Sequence, residues 1–573
     1  MEVCLKFCNA LRSVKGTRHL KKLFILREGA RIAPFRALRL TVREVHQPIE
    51  TVVWPEGLEH LQFGYRDREM GYREGGEQCC GSEADYFLRM VAEHFVQGFD
   101  VRGIALVAWP AGLRTLKLGD RFNQSLVGIS FPSSLQELTF GADFNQPLVG
   151  VNLPGGLQKL TFDGVFNQPL VGVRLPSSLQ ELRFGPDLIE SLDGDDHFDD
   201  PICGHFNMPL VGVHLPDSLQ VLALSDLFNQ PLAGVRLPEV LRELTFGKQF
   251  DQPLIGVSLP SSLKVLEFGQ LFNQPLVGVG LPEGLQELTF SSSFDQPLVD
   301  VSLPDGLREL RFGEQFDQSL VGVSLPSSLQ ELDFGLNFSE PLDEVSLPES
   351  LKVLTLSYWF NEPLADVDLP DGLQELMFGY SFDQPLVDVK WPSSLQKLTF
   401  SYSFNQSMAG VRLPSSLREL TFGAEFRQPF GDVSLPDGLQ ELTLPDFYNQ
   451  PLDGIRLPSN LRKLTFGEDF DQPLNGVSLP DSLEVLTFGD SFDQPLVGVN
   501  LPSSLKVLKF GHKQPLVGDS LQNGLRRLAD GDELNYPLGD SDYYQDDGCF
   551  YEDGCFYEDP FPDDDPNSDY GDY

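Results

Sequence analysis

The chain has 573 residues, 41% of them apolar, and a formal net charge of −42. A surface this acidic repels phosphate backbones, so nucleic acid is excluded as an expected partner. The seven cysteines are too few for a disulfide scaffold and point to a reducing, cytoplasmic compartment. There is no apolar run long enough for a signal-peptide core or a membrane span, so no membrane association is expected.

The elements fall in a clear order. Residues 1–44 form a basic segment or cap; the first 50 residues hold 11 Lys or Arg against 4 Glu. A repeat array follows from 45 to 539. It opens on a degenerate copy, "VHQPIETVVWPEGLEHLQFG" at 45–64. Residues 65–98 are an insertion. In its second half Phe87, Met90, Val91 and Phe95 recur at helical spacing, which predicts an amphipathic helix over 83–96. A second degenerate copy fills 99–119. The regular line then recurs with its Phe at 122, 144 and 166, and every 22 residues from 206 to 492, giving 17 full copies with Tyr448 once in place of Phe. Residues 186–203, "PDLIESLDGDDHFDDPIC", are a second insertion. Degenerate copies continue to 539. From Asp540 the tail holds 13 Asp or Glu and no Lys or Arg, a composition that predicts disorder over 540–573.

One copy dictates its own shape. In "FPSSLQELTFGADFNQPL" (131–148), Leu138 and Phe140 alternate with Glu137 and Thr139. Period two predicts a short strand with Leu and Phe inward, Glu and Thr outward. Gly141 ends it, and the return path, with two Pro and a Gly, is extended or turn-like. One such unit cannot bury its apolar face alone; stacked copies can. The expected fold is therefore mainly β: a solenoid of about twenty 22-residue coils, with a parallel sheet on one face and extended or turn segments on the other. Asn or Asp follows the repeat Phe in 15 of 17 copies, the exceptions being Ser339 and Arg427. A side-chain oxygen there can accept from backbone N–H groups, which both residues allow. This column is expected to be buried, which argues against the sequons at Asn123 and Asn405.

The line L-x-x-L-x-F resembles a leucine-rich repeat. With the tetrapeptides Phe144-Asn145-Gln146-Pro147 and Phe470-Asp471-Gln472-Pro473 and the recurring L-P-x-x-L-x-x-L, it more closely resembles the FNIP repeat family. That resemblance implies a leucine-rich-repeat-like solenoid acting as an interaction module. Family members can carry an F-box ahead of the array, but residues 1–44 show none, so a ubiquitin-ligase role is not implied.

No catalytic, cofactor or metal motif emerges. The cluster "DGDDHFDD" (193–200) lacks EF-hand spacing and reads as a solvated loop. The Glu column at Glu137 and its equivalents is a surface stripe rather than an acid–base pair tuned by two environments. The chain reads as a non-enzymatic scaffold for protein–protein interaction. A carbohydrate- or ligand-recognition array is the alternative, and a β-helix-type polysaccharide-active enzyme a more distant one. Candidate partner-binding residues are the irregular outward positions. Arg311, Asp333 and Met377 lie where the outward Thr ladder breaks, and Glu309, from the outward Glu column, stands beside the first of them. Tyr358, Tyr380 and Tyr402 occupy one column in three consecutive copies, beside Trp359, with Trp391 one coil away. Tyr and Trp are typical interface residues.

Overall fold

The computed structural model describes residues 109–185 and 204–511, apart from 431, 432, 453, 454 and 497, together with 58–63 and the strand segments 23–26, 39–45 and 516–517. Short strands, mostly of three or four residues, form a single 22-stranded sheet. It begins with β1 (Leu23–Leu26), β2 (Arg39–Val45), β3 (His60–Phe63), β4 (Thr115–Lys117) and β5 (Glu137–Phe140). Each strand pairs in parallel with the next through to β21 (Val507–Phe510), and β22 (Leu516–Val517) closes on it antiparallel. No helix occurs among the described residues. The sheet reaches back beyond the recognisable repeats, because β1 and β2 add strands within the basic first segment.

Register follows the repeat. Glu137 faces Lys159, Leu138 faces Leu160 and Thr139 faces Thr161, each 22 residues on. At the second insertion β7 (Glu181–Phe184) pairs directly with β8 (Val221–Ala223), Leu182 facing Leu222. At the first, β3 pairs directly with β4. Both insertions are thus excluded from the strand stack. The expected helix over 83–96, the acidic cluster at 193–200 and the tail at 540–573 lie outside the described residues.

Each coil turns three corners; two are closed in the described coils, and the one at the repeat Phe in many of them, by hydrogen bonds from residue i+3 to residue i. The Leu135 N–H donates to the Pro132 carbonyl, Phe144 to Gly141 and Val151 to Leu148. At the last corner most coils place a residue with positive φ, as at Gly150 (+82°) and Asp300 (+65°), the only non-glycine so placed among the described residues; Glu344, Asp366 and Asp388 close the same corner without one. The Gly141 column has another reason. A Cβ on Gly313 would collide with the Ser291 carbonyl oxygen one coil back, so the backbone approaches closely at the glycines of this column, whereas Ser225 and Ser291, at the same position, bury a hydroxyl that donates to the Phe206 and Phe272 carbonyls.

The core is a set of columns. Leu135, Leu138, Phe140, Phe144 and Leu148 are fully buried. Within a coil Phe140 stacks on Phe144 at 4.1 Å, and between coils Phe144 stacks on Phe122 and Phe166 at 5.9 Å. Hydrogen-bonded strands lie only ~4.8 Å apart, so a ring column spaced near 6 Å implies that the coils fan apart behind the sheet. The sheet is therefore on the inner, concave side of a curved stack.

The Asn and Asp residues after the repeat Phe form a ladder between coils rather than local turns. Asn145 Oδ1 accepts the Asn167 backbone N–H at 3.0 Å and Gln168 Nε2 at 2.9 Å. Asp251 does the same for Asn273 and Gln274. Only an acceptor is required, which is why Asn and Asp interchange. The column is not buried as expected: Asn123 is exposed and Asn405 half-buried, because its oxygen points along the stack axis at the surface of the coil.

Two outcomes test this packing. Phe316→Ala removes a fully buried ring stacked on Phe294, Phe312 and Phe338. It is expected to cost about 3–5 kcal/mol, read as new protease cleavage within 300–330. Asn273→Leu strands the Asp295 N–H and Gln296 amide that it accepts, at a cost of about 1–3 kcal/mol, whereas Asn273→Asp leaves the urea midpoint nearly unchanged.

Candidate functional site

The irregular residues lie in two places on the concave side. Four sit on the strands themselves. On β12 (Glu309–Arg311) and β13 (Glu331–Asp333), Arg311 faces Asp333 in register, but its guanidinium bonds Glu309 at 3.1 Å and Glu331 at 3.4 Å. Burial first, then the neighbouring carboxylates of Glu331 and Glu287, raise the Glu309 carboxyl above its ordinary range, with Arg311 opposing. Asp333 accepts the Gly335 backbone N–H at 3.0 Å, fixing the turn after its strand. Met377 lies half-buried on β15 (Glu375–Met377), between Thr355 and Thr399.

The other group follows the strands. Tyr358, Tyr380 and Tyr402 occupy the turn just past the strand end in successive coils. Backbone bonds lock that turn: Ser381 N–H donates to the Tyr358 carbonyl and Ser403 N–H to that of Tyr380. The rings stack at 4.7 and 4.5 Å, within 9° of parallel, a spacing that matches the strands and not the fanned-out Phe columns. Trp359 meets Tyr358 edge-on at 5.0 Å, and Phe447 meets Tyr402 edge-on at 6.1 Å. Trp359 is 56% exposed, and Tyr358 and Tyr380 are each 36% exposed. Burial raises the Tyr402 hydroxyl pKa first, helped by Tyr380 and by the carboxylates of Glu425 and Asp446. Trp391 does not join them. It packs against the core on a different column, with its indole N–H buried and unpartnered.

Among the described residues no cluster of His, Cys, Asp or Glu has metal-site geometry, and no helix is long and apolar enough to cross a membrane.

The FNIP repeat profile matches nine segments, running from 109–143 and 144–187 through 228–271 to 448–491 and 470–513. The chain belongs to the FNIP repeat family. Among solved structures this FNIP array is similar to CroV588, described as a circular leucine-rich-repeat protein, at 35% identity and a TM-score of 0.64 over 82% of this chain. The array covers 65% of that protein's length. Lesser likeness is found to YopM of Yersinia enterocolitica, at 17% identity and a TM-score of 0.39, over 83% of this chain and 91% of that one. The TLR13–ssRNA13 complex gives 13% identity and a TM-score of 0.47, over 82% of this chain and 67% of that one. No curated protein matches the chain.

The residue reading missed three things. Phe447 joins the aromatic group from two coils beyond Tyr402, a juxtaposition visible only once coils are stacked. Acidic residues continue the Tyr column at Asp446 and Glu468, which a scan for aromatics passes over. An exposed branched-apolar stripe also runs through Val127, Val149, Val171, Val211, Ile255, Val277, Val299 and Val321 at 42–62% exposure. Its signal, the recurring "PLVG", was in the repeat itself.

Proposed function

We propose that this protein is a non-enzymatic scaffold for protein–protein interaction, acting in a reducing, cytoplasmic setting. Its partner seats on the turn edge around Tyr358, Trp359, Tyr380 and Tyr402, with Glu309, Arg311, Asp333 and Met377 on the adjoining strands. One observation carries this reading. The array's Phe rings are almost all buried, whereas Tyr358 and Tyr380 stay exposed, with Tyr402 half-buried, in a column that other coils fill with Ser292, Glu314, Leu336, Ala424 and Asp446. The fold does not need aromatics there. Exposed Tyr and Trp offer large rigid contact area at low entropic cost.

The carbohydrate alternative is weaker. Sugar rings stack on free aromatic faces, and the Tyr rings, near-parallel at 4.5–4.7 Å, cover one another's faces. What they present is a row of edges and hydroxyls, better suited to a polypeptide.

The triple change Tyr358→Ala, Tyr380→Ala, Tyr402→Ala is expected to abolish capture of a partner that the wild-type chain retains from lysate, since loss of central aromatic contacts costs about 2 kcal/mol or more each. Alanine at Thr421, Thr443 and Thr465 is expected to leave capture intact. Equal capture by the Tyr variant and wild type would move the site elsewhere.

A further inference from the structure

Along the stack axis the turn edge changes character. Leu336, Tyr358, Trp359 and Tyr380 are exposed apolar groups. After Tyr402 and Ala424 the same two columns carry Asp446, Phe447, Glu468 and Asp469, all exposed. Elsewhere the array pairs its carboxylates with a Lys one coil on, as in Lys463–Glu441 at 3.0 Å and Lys397–Glu375 at 3.7 Å. Asp446, Glu468 and Asp469 make no such pair among the described residues. Instead, burial first and then the charges of Glu468 and Asp469 hold the Asp446 carboxyl above its ordinary range, while Glu468 accepts only a backbone N–H, from Asp490 at 3.2 Å. A cation arriving there relieves that repulsion.

The edge already shows how it holds one. The Arg427 guanidinium lies over the Phe447 ring at 5.9 Å while bonding Glu425 at 3.2 Å. Ring and carboxylate together clamp a planar cation, the arrangement that favours Arg.

We infer that the partner segment seated on this edge is an extended basic peptide, its apolar residues over the aromatic half and its Arg or Lys side chains over Asp446, Glu468 and Asp469. This rests on the partner-binding reading above. The dimensions agree. The edge from Leu336 to Glu468 spans six coil steps of ~4.8 Å, on the order of 29 Å, which about nine extended residues cover at ~3.3 Å each. The net charge of −42 steers such a peptide toward the chain, so the test must separate local contact from general attraction.

The probe is a fluorescein-labelled peptide with Trp and Leu in its first half and Arg in its second, followed by anisotropy at about 50 and about 200 mM salt. The variant Asp446→Asn, Glu468→Gln, Asp469→Asn is expected to raise Kd about tenfold or more and to flatten the salt dependence. The control Glu239→Gln, Glu283→Gln, Asp305→Asn removes the same charge from exposed positions ahead of the strands and is expected to change Kd less than about twofold. Equal weakening by both variants, or by neither, overturns the inference. Partner capture distinguishes the two levels. If the acidic variant captures the partner as wild type does while the Tyr variant fails, the basic-peptide inference falls and the binding reading stands. If both variants capture it, the binding reading itself falls.

Discussion

The structure depends on a single constraint: no coil can satisfy its own polar and apolar groups, and each is completed by its neighbour 22 residues away. The Asn145 oxygen meets the next coil's N–H and Gln amide. The Ser178 hydroxyl meets the previous coil's Leu157 carbonyl at 2.6 Å. Each Phe ring lies between two others. Because all these contacts point along the stack, any change of spacing breaks all of them at once. The register therefore resumes unchanged across the second insertion, where Leu182 pairs directly with Leu222.

The same constraint separates structural letters from free ones. Positions whose side chains point along the axis or inward have no latitude; a Leu in the Asn column would strand two donors. The turn column just past the strand is joined to the stack in nearly every described coil by backbone bonds such as Trp359 N–H to the Leu336 carbonyl at 3.0 Å, with side-chain contacts in some coils only, as where Glu468 accepts the Asp490 N–H at 3.2 Å. Its side chains vary in type from coil to coil. Aromatic and acidic residues gather there, and the concave curvature brings successive Tyr rings within 4.5–4.7 Å; the proposed recognition site uses this latitude.

Most of the fold was legible because repetition exposes the period directly. Alternation at Leu138 and Phe140 gave the strand, and the 22-residue recurrence gave the register. The Asn column was misjudged as buried. Sequence conveys that a polar column is invariant but not that its oxygen reaches across coils at the surface. The candidate residues were legible as departures from the pattern, yet their grouping was not. Arg311 turned out to be tied to its own strand neighbours, Trp391 faced the core, and Phe447 arrived from two coils away. Distances across a stack depend on which face a column occupies and on its curvature, and neither is written in one copy.

The central claim is that the Tyr column serves recognition and not folding. Amide hydrogen exchange across 353–421 tests it most directly, comparing wild type with the variant Tyr358→Ala, Tyr380→Ala, Tyr402→Ala and using Phe382→Ala as the structural reference. Protection in the Tyr variant should change by less than about tenfold, against about a hundredfold or more for the loss of the buried Phe. Loss of protection in the Tyr variant comparable to that of Phe382→Ala would contradict the claim and make the column part of the core.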